Sequence, residues 1–222
     1  MCGRFVIAQP RFERIEQVLG TVFPPVALRY NIAPTLMIPV IRQSEAGCYE
    51  MDEFRWGLIP YWSKESKIAY STFNARVETV AEKPVFRTPF KSRRCLIPAS
   101  GWFEWKTEGG KKHPYYFTSP GDEGLALAGL WDHWRGADGT TIDSCTILVG
   151  DANELVSKVH DRMPIILPES AYQAWLDPKE DLRHIKELLV PYDAKQLRYW
   201  PVSPAVNQAR NDYPELITAQ SL

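Results

Sequence analysis

The chain opens MCGRF, placing Cys2 one residue behind the initiator methionine. Methionine aminopeptidases remove Met1 when the next residue is small, and cysteine qualifies. Cys2 would then carry an α-amine and a thiol on adjacent carbons. Their ordinary pKa values, about 7.7–8.0 and about 8.5, leave both partly nucleophilic near neutral pH. This pair has one special reaction. The amine condenses with an aldehyde to an imine, and the thiol closes on the same carbon to give a five-membered thiazolidine. A structural reading stands beside it, in which Cys2 only packs with Phe5 and Val6 as the first strand enters a sheet.

Three further residue types could move protons or hold a substrate. His160 sits in the polar run KVHDRMP, where a histidine can relay protons near neutral pH or serve as a structural hydrogen-bonding group. Glu104 interrupts the aromatic run GWFEWK. Trp102, Phe103 and Trp105 around it would raise its pKa and suit it to acid–base work, unless alternation turns it to solvent. In STFNARVET, Asn74, Arg76 and Glu78 occupy alternate positions and share one face if the stretch is extended. Such a row suits phosphate or sugar oxygens; in a surface loop it carries no meaning. Of the other histidines, His113 reads as a turn residue, His184 as a residue on a charged helix, and His133 as packed or partnered.

Several classes are excluded. The net charge is -1 and the sequence pI about 6.4, so no overall basicity advertises a nucleic-acid partner. Locally, however, residues 76–112 hold nine Lys or Arg against four Asp or Glu. With Phe73, Phe86 and Phe90 interleaved, this reads either as a backbone-binding surface with stacking platforms or as a solvated face. Trp62 follows Pro60 and Tyr61 at a turn-like site, where it can be exposed to stack on a base. No signal peptide and no apolar stretch approaching about 18 residues is present, which predicts a soluble, cytoplasmic protein with no membrane partner. Cys2, Cys48, Cys95 and Cys145 have no zinc spacing and read as free thiols. No metal or cofactor is expected, and no phosphate-cradling glycine loop, Ser-His-Asp signature or HExxH motif occurs.

The elements that must position these residues are mostly strands. PRFERIEQVLG (Pro10 to Gly20) has helical spacing and ends at a glycine. TLMIPVIR and GCYEMDEFRWGLIPYW read as strands, with Pro39 marking an edge or a bulge. CLIPASGWFEWK, PYYFTS, LALAGLWDHW and SCTILVG continue the β pattern, with turns at Gly109-Gly110, Ser119-Pro120-Gly121 and Asp138-Gly139. PESAYQAWL and DPKEDLRHIKELL read as helices. Without regular βα alternation, the expected fold is α+β: a mainly antiparallel, barrel-like sheet with several short flanking helices, as one domain over residues 1–222.

Together MCGRF, RYNIAP (Arg29 to Pro34), RWGLIPYW, NARVET, RRCLIPASGWFEWK, VHDRMP and PVSPAVN (Pro201 to Asn207) resemble, in order, the motifs of the SRAP (SOS response-associated peptidase) family. The resemblance spans nearly the whole chain, and the lack of a long C-terminal extension resembles bacterial members. It implies binding of single-stranded or junction DNA and a covalent thiazolidine crosslink between Cys2 and a ring-opened abasic sugar. Under it, Cys2, Asn74, Glu104 and His160 are the catalytic residues. Arg4, Arg76 and Arg162 lie near the DNA backbone, Trp62 stacks at the end of the kinked DNA, and Asn31 and Pro34 shape the cleft. Where members carry a basic contact just past NARVET, this chain has Pro84, with Lys83 beside it as a substitute. A monomer matured by methionine aminopeptidase and associated with the nucleoid is expected. Two alternatives remain: a thiol autopeptidase that releases residues preceding Cys2, and a non-catalytic single-strand binder.

Overall fold

The computed structural model describes residues 2–67 and 71–220. In chain order the elements are β1 (Phe5–Ile7), α1 (Glu13–Leu19), β2 (Arg29–Ile32), β3 (Met37–Gln43), β4 (Tyr49–Trp56), β5 (Asn74–Arg76) and α2 (Pro84–Ser92). There follow β6 (Arg94–Ala99), β7 (Gly101–Glu108), β8 (Lys111–Thr118), β9 (Leu125–Arg135), β10 (Thr141–Asp151), β11 (Arg162–Pro164), α3 (Tyr172–Leu176), α4 (Leu182–Glu187) and β12 (Arg198–Pro201).

CLIPASGWFEWK forms two strands that break at Ser100 and belong to different sheets. β6 joins a ring in which β10, β4, β3, β6 and β9 pair in turn, and β9 closes back on β10. β7 joins the five-stranded sheet β12-β8-β7-β1-β2. Gly101 sits at the crossing because an added Cβ would lie 2.2 Å from the Phe117 carbonyl oxygen. Gly109 and Gly110, with φ of 56° and 76°, supply the tight turn that pairs β7 with β8.

This architecture is the expected α+β fold with an antiparallel barrel, but β10 pairs in parallel with both β4 and β5. Pro39 is not at a sheet edge, since β3 lies between β4 and β6. Its missing N–H is tolerated because β3 meets β6 only at Ile41 and Leu96. α1 begins at Glu13 rather than Pro10 and ends on Gly20 in the left-handed region. α4 covers only Leu182–Glu187 and starts where the Asp181 carboxylate accepts the Arg183 N–H.

The main core fills the barrel and one face of the second sheet, with Phe5, Trp56, Trp102 and Phe117 fully buried. The opposite face of that sheet carries Val6, Phe103 and Tyr116, covered by Val202, Val206 and Leu216. No helix among the described residues is long and apolar enough to cross a membrane.

Arg94 shows how two helix ends are fastened to the barrel. It is 2% exposed, and its guanidinium donates to the carbonyls of Phe90 (3.0 Å), Lys91 (2.7 Å), Trp175 (2.7 Å) and Asp177. These are carbonyls that the ends of α2 and α3 leave without an intrahelical donor. Burial lowers the Arg94 pKa to about 10, which leaves it charged at neutral pH. Arg94→Met should therefore destabilise the fold by about 3 kcal/mol in urea unfolding, because it orphans several buried acceptors at once. Arg14→Gln, which breaks only half-exposed pairs with Glu123 and Glu169, should change stability by about 0.5 kcal/mol or less.

Candidate active site

The site starts with the ladder between β1 and β7. Phe5 pairs with Trp102 and Val6 with Gly101, and the Phe103 N–H donates to the Arg4 carbonyl at 3.0 Å. Cys2 is thereby drawn alongside the next residues of β7 and is fully buried. Alternation along β7 puts Trp102 towards the main core, Phe103 towards the second cluster, and Glu104 back towards the main core. Glu104 is 1% exposed, which settles the two sequence readings in favour of a buried carboxyl. Burial raises its pKa to about 7. The Cys2 thiol is pushed far above its ordinary value, first by burial and then by the Glu104 charge.

His160 faces the same carboxyl, with its Nε2 4.0 Å from Glu104 Oε2. Its Nδ1 lies 3.0 Å from the Arg162 backbone nitrogen and 2.9 Å from Asp161 Oδ1. Burial lowers its pKa, so the ring is neutral at neutral pH. Around pH 7 the pair is thus a half-ionised carboxyl beside a neutral imidazole, and each can give or accept a proton.

Asn74 opens β5, next to Phe73. The Phe73 ring packs on Trp56, and Trp56 packs on Phe5, three residues after Cys2. The Asn74 side-chain NH2 donates weakly to the Ile147 carbonyl at 3.4 Å. Its buried Oδ1 has no hydrogen-bond partner among the described residues. A buried amide oxygen without a donor is an acceptor kept open for a ligand or water. Arg76 is exposed two residues on, while Glu78 lies beyond the strand in a turn. Arg162 does not stand free: it pairs with Glu78 and lies 3.3 Å from Asp151.

Arg4 and Asn31 hold the protein to itself. The Arg4 guanidinium donates to Asn31 Oδ1 at 2.7 Å and to the Val206 carbonyl at 2.8 Å. The Asn31 NH2 reaches the carbonyls of Val206, Gln208 and Asn211. The Trp105 ring N–H donates to Asn207 Oδ1 at 2.7 Å. Three sequence motifs, MCGRF, RYNIAP and PVSPAVN, therefore meet in one hydrogen-bonded knot behind Cys2 and Glu104. Sequence reasoning gave Val206 and Asn207 no role, and their position in a quoted motif was the one available signal. Pro34 is half-buried beyond β2. Trp62 is 49% exposed, on a loop fastened to β9 by Tyr61 N–H to Asp132 and by Trp134 to the Ser63 carbonyl. Lys83 is exposed, preceding Pro84 at the start of α2.

The basic stretch is not one surface. Arg94 is buried, Arg93 pairs with the fully buried Asp132, and Phe86 and Phe90 are core residues of α2. Those two phenylalanines are not stacking platforms, because the amphipathic helix turns them inward. His113 lies in β8, paired with Lys106, rather than in a turn. His133 is partnered by Asp143 at 2.7 Å. All four cysteines are free. Among the described residues no group of three or more His, Cys, Asp and Glu side chains could hold a metal ion.

The Glu104 shift makes a stability prediction. In the unfolded chain this carboxyl ionises near 4.5, and in the folded chain near 7. Between those values the folded state binds more protons, so stability is full below about pH 4.5 and falls as pH rises towards 7. Glu104→Gln should remove that decline, gaining stability relative to the parent by up to about 3 kcal/mol between pH 4.5 and 7.5. Urea unfolding across that range measures it.

Residues 1–209 match the family model described as SOS response associated peptidase (SRAP). The chain is 40% identical over 222 residues to the abasic site processing protein YoqW of Bacillus subtilis, covering 98% of this chain and 99% of that protein. It is 34% identical over 221 residues to the abasic site processing protein HMCES of Xenopus tropicalis, covering 86% of this chain and 65% of that one. An X-ray structure of a Bacteroides thetaiotaomicron protein superposes with a TM-score of 0.84 at 25% identity, covering 99% of this chain and all of that one. With a match of this length, and with the quoted motifs gathered around Cys2 and Glu104, the chain belongs to the SRAP family.

Proposed function

We propose that this protein processes abasic sites in single-stranded or junction DNA by crosslinking itself to the ring-opened deoxyribose through Cys2. The observation that carries the reading is the burial of Cys2 beside Glu104 and His160, in a chain whose relatives are named as abasic site processing proteins. Removal of Met1 frees the Cys2 amine. The amine adds to the C1′ aldehyde to give a carbinolamine, and protonation of its hydroxyl expels one water and leaves the imine. The thiol then adds to the carbon of the protonated imine, its proton restoring the acid that protonated the hydroxyl, and closes the thiazolidine. The net change is protein plus DNA minus one water.

Glu104, with a pKa of about 7, can protonate the leaving hydroxyl and accept the proton back. His160, facing the same carboxyl, can relay a second proton. The open Oδ1 of Asn74 accepts from a hydroxyl of the opened sugar. The protonated resting thiol does not favour a general thiol protease, which needs a thiolate or a paired base. On this reading methionine aminopeptidase is the maturation partner, and the protein works as a monomer on cytoplasmic, nucleoid-associated DNA.

Incubating Met1-free protein with an abasic single-stranded oligonucleotide should give a denaturation-resistant adduct, with an intact mass equal to the sum less one water. Cys2→Ala, or a retained Met1, should give no thiazolidine. If Met1-free protein yields no such adduct while binding intact and abasic strands equally, a non-catalytic binder replaces this reading. Glu104→Gln should slow crosslinking about 10²–10⁴-fold and abolish a pH-rate limb near 7.

A further inference from the structure

Glu78 lies in NARVET, four residues after Asn74, and the crosslinking chemistry gives it no task. β10 fixes its surroundings. Arg76 on β5 stands opposite Val149, and Arg162 on β11 stands opposite Asp151. Val149 and Asp151 are two apart, so both arginines project to one face of the sheet. Asn74, opposite Ile147, shares that face, whereas Arg55 on β4, opposite Ser144, turns to the other. β5 and β11 border β10 on opposite edges, since Val149 pairs with Arg76 on one and with Pro164 on the other. The backbones that carry the two arginines therefore lie about 10 Å apart across the end of β10, twice the spacing of neighbouring strands.

Glu78 reaches into this gap. The Val77 N–H donates to the Val149 carbonyl at 3.0 Å, which brings the turn back over the end of β10. From there the Glu78 carboxylate accepts from Arg162 Nη1, and the same nitrogen lies 3.3 Å from Asp151. Burial opposes ionisation of Glu78, yet the hydrogen bond to Arg162 and the charges of Arg162 and Arg76 hold its pKa below the ordinary value. The Glu78 side chain is 43% exposed and that of Arg162 21%. An ion pair this open is weak, so an incoming anion can displace it. A carboxylate seated between two guanidiniums marks an anion position, and on the proposed function the competitor is a phosphate next to the sugar that Asn74 holds.

We propose that Glu78 occupies the place of a DNA backbone phosphate between Arg76 and Arg162, and that a strand must displace it to bind. This rests on the reading of the protein as an abasic-DNA binder. On displacement, Arg162 exchanges a carboxylate for a phosphate, and the freed Glu78 and Asp151 stand beside the strand as like charges. Both effects lower the affinity for any strand, intact or abasic. Only an abasic strand offsets them, because crosslinking to Cys2 follows binding and holds it in place. Glu78 thus sets specificity: intact strands leave and abasic strands stay.

The test is a double-mutant cycle on binding to a single-stranded oligonucleotide carrying a stable abasic analogue that cannot open to an aldehyde. Dissociation constants are measured for the parent protein, Glu78→Gln, Arg162→Gln and the double variant, with thermal melting to verify folding. Crosslinking of a true abasic strand by the parent is followed in parallel. Glu78→Gln should tighten binding about 3- to 10-fold, and binding of the same strand without the lesion by as much. Arg162→Gln should weaken binding, and the double variant should match Arg162→Gln to within about twofold, since Glu78 then has no Arg162 guanidinium to cover. Unchanged or weaker binding by Glu78→Gln overturns the proposal, weaker binding being the mark of a residue that orients Arg162 for DNA. An equal gain in the Arg162→Gln background also overturns it, being the mark of charge acting at a distance. In each case a parent that crosslinks the abasic strand leaves the functional reading standing. A parent that neither binds nor crosslinks overturns both.

Discussion

The site depends on the antiparallel pairing of β1 with β7. Phe5 opposite Trp102 sets which face of β7 looks into the main core, and hence where Glu104 points. A slip of one residue would turn Glu104 to the face shared by Val6 and Phe103 and would take Trp102 out of the main core. The register is held by aromatic packing: Trp102 stacks on Phe117 with centroids 5.0 Å apart, and Phe5 meets Trp56 edge-on at 5.3 Å. The same packing excludes the water that would otherwise keep the Glu104 pKa at its ordinary value. A buried carboxyl costs stability, and the surrounding rings offset that cost.

The arginines divide by what they already hold. Arg94 closes two helix ends, Arg93 neutralises Asp132 beneath the Tyr61–Trp62 loop, and Arg4 ties the chain's start to Asn31 and Val206. Arg162 is occupied by Glu78. Arg76, beside Asn74, is exposed and makes no ion pair among the described residues. An arginine's charge is therefore a poor guide to its partner, because its donors serve carbonyls as well as phosphates.

Much of this was legible. The alternating aromatics of GWFEWK predicted a strand with one carboxyl among rings, the Gly109-Gly110 pair predicted the hairpin, and the motifs marked Cys2, Asn74, Glu104 and His160. The face of β7 on which Glu104 lies was not legible, because alternation fixes faces relative to one another and the partner strand decides which is buried. The parallel contacts of β10 with β4 and β5 join segments far apart in the chain, and no local pattern announces them. Residues 76–112 misled for a related reason. Charge counts assume exposure, whereas Arg94 and Phe90 are drawn inward by the helix ends and the barrel. Arg55 opens the quoted motif RWGLIPYW, yet sequence reasoning gave it no role.

On the proposed chemistry, the buried carboxyl also sets the order of events. Burial raises the Glu104 pKa, and a positive charge on a freed Cys2 amine beside it would oppose that rise. A neutral amine, the form that attacks an aldehyde, therefore favours the protonated carboxyl, which is the form needed to expel water. Once the iminium carries a positive charge, the same carboxyl is stabilised as an anion beside it. It can then draw the proton from the Cys2 thiol, whose own ionisation is opposed until that moment by burial and by Glu104 itself. Aminothiol and carboxyl thus share protons in a sequence that lets the amine react first and the thiol second. A thiolate formed early would have no imine carbon to close on.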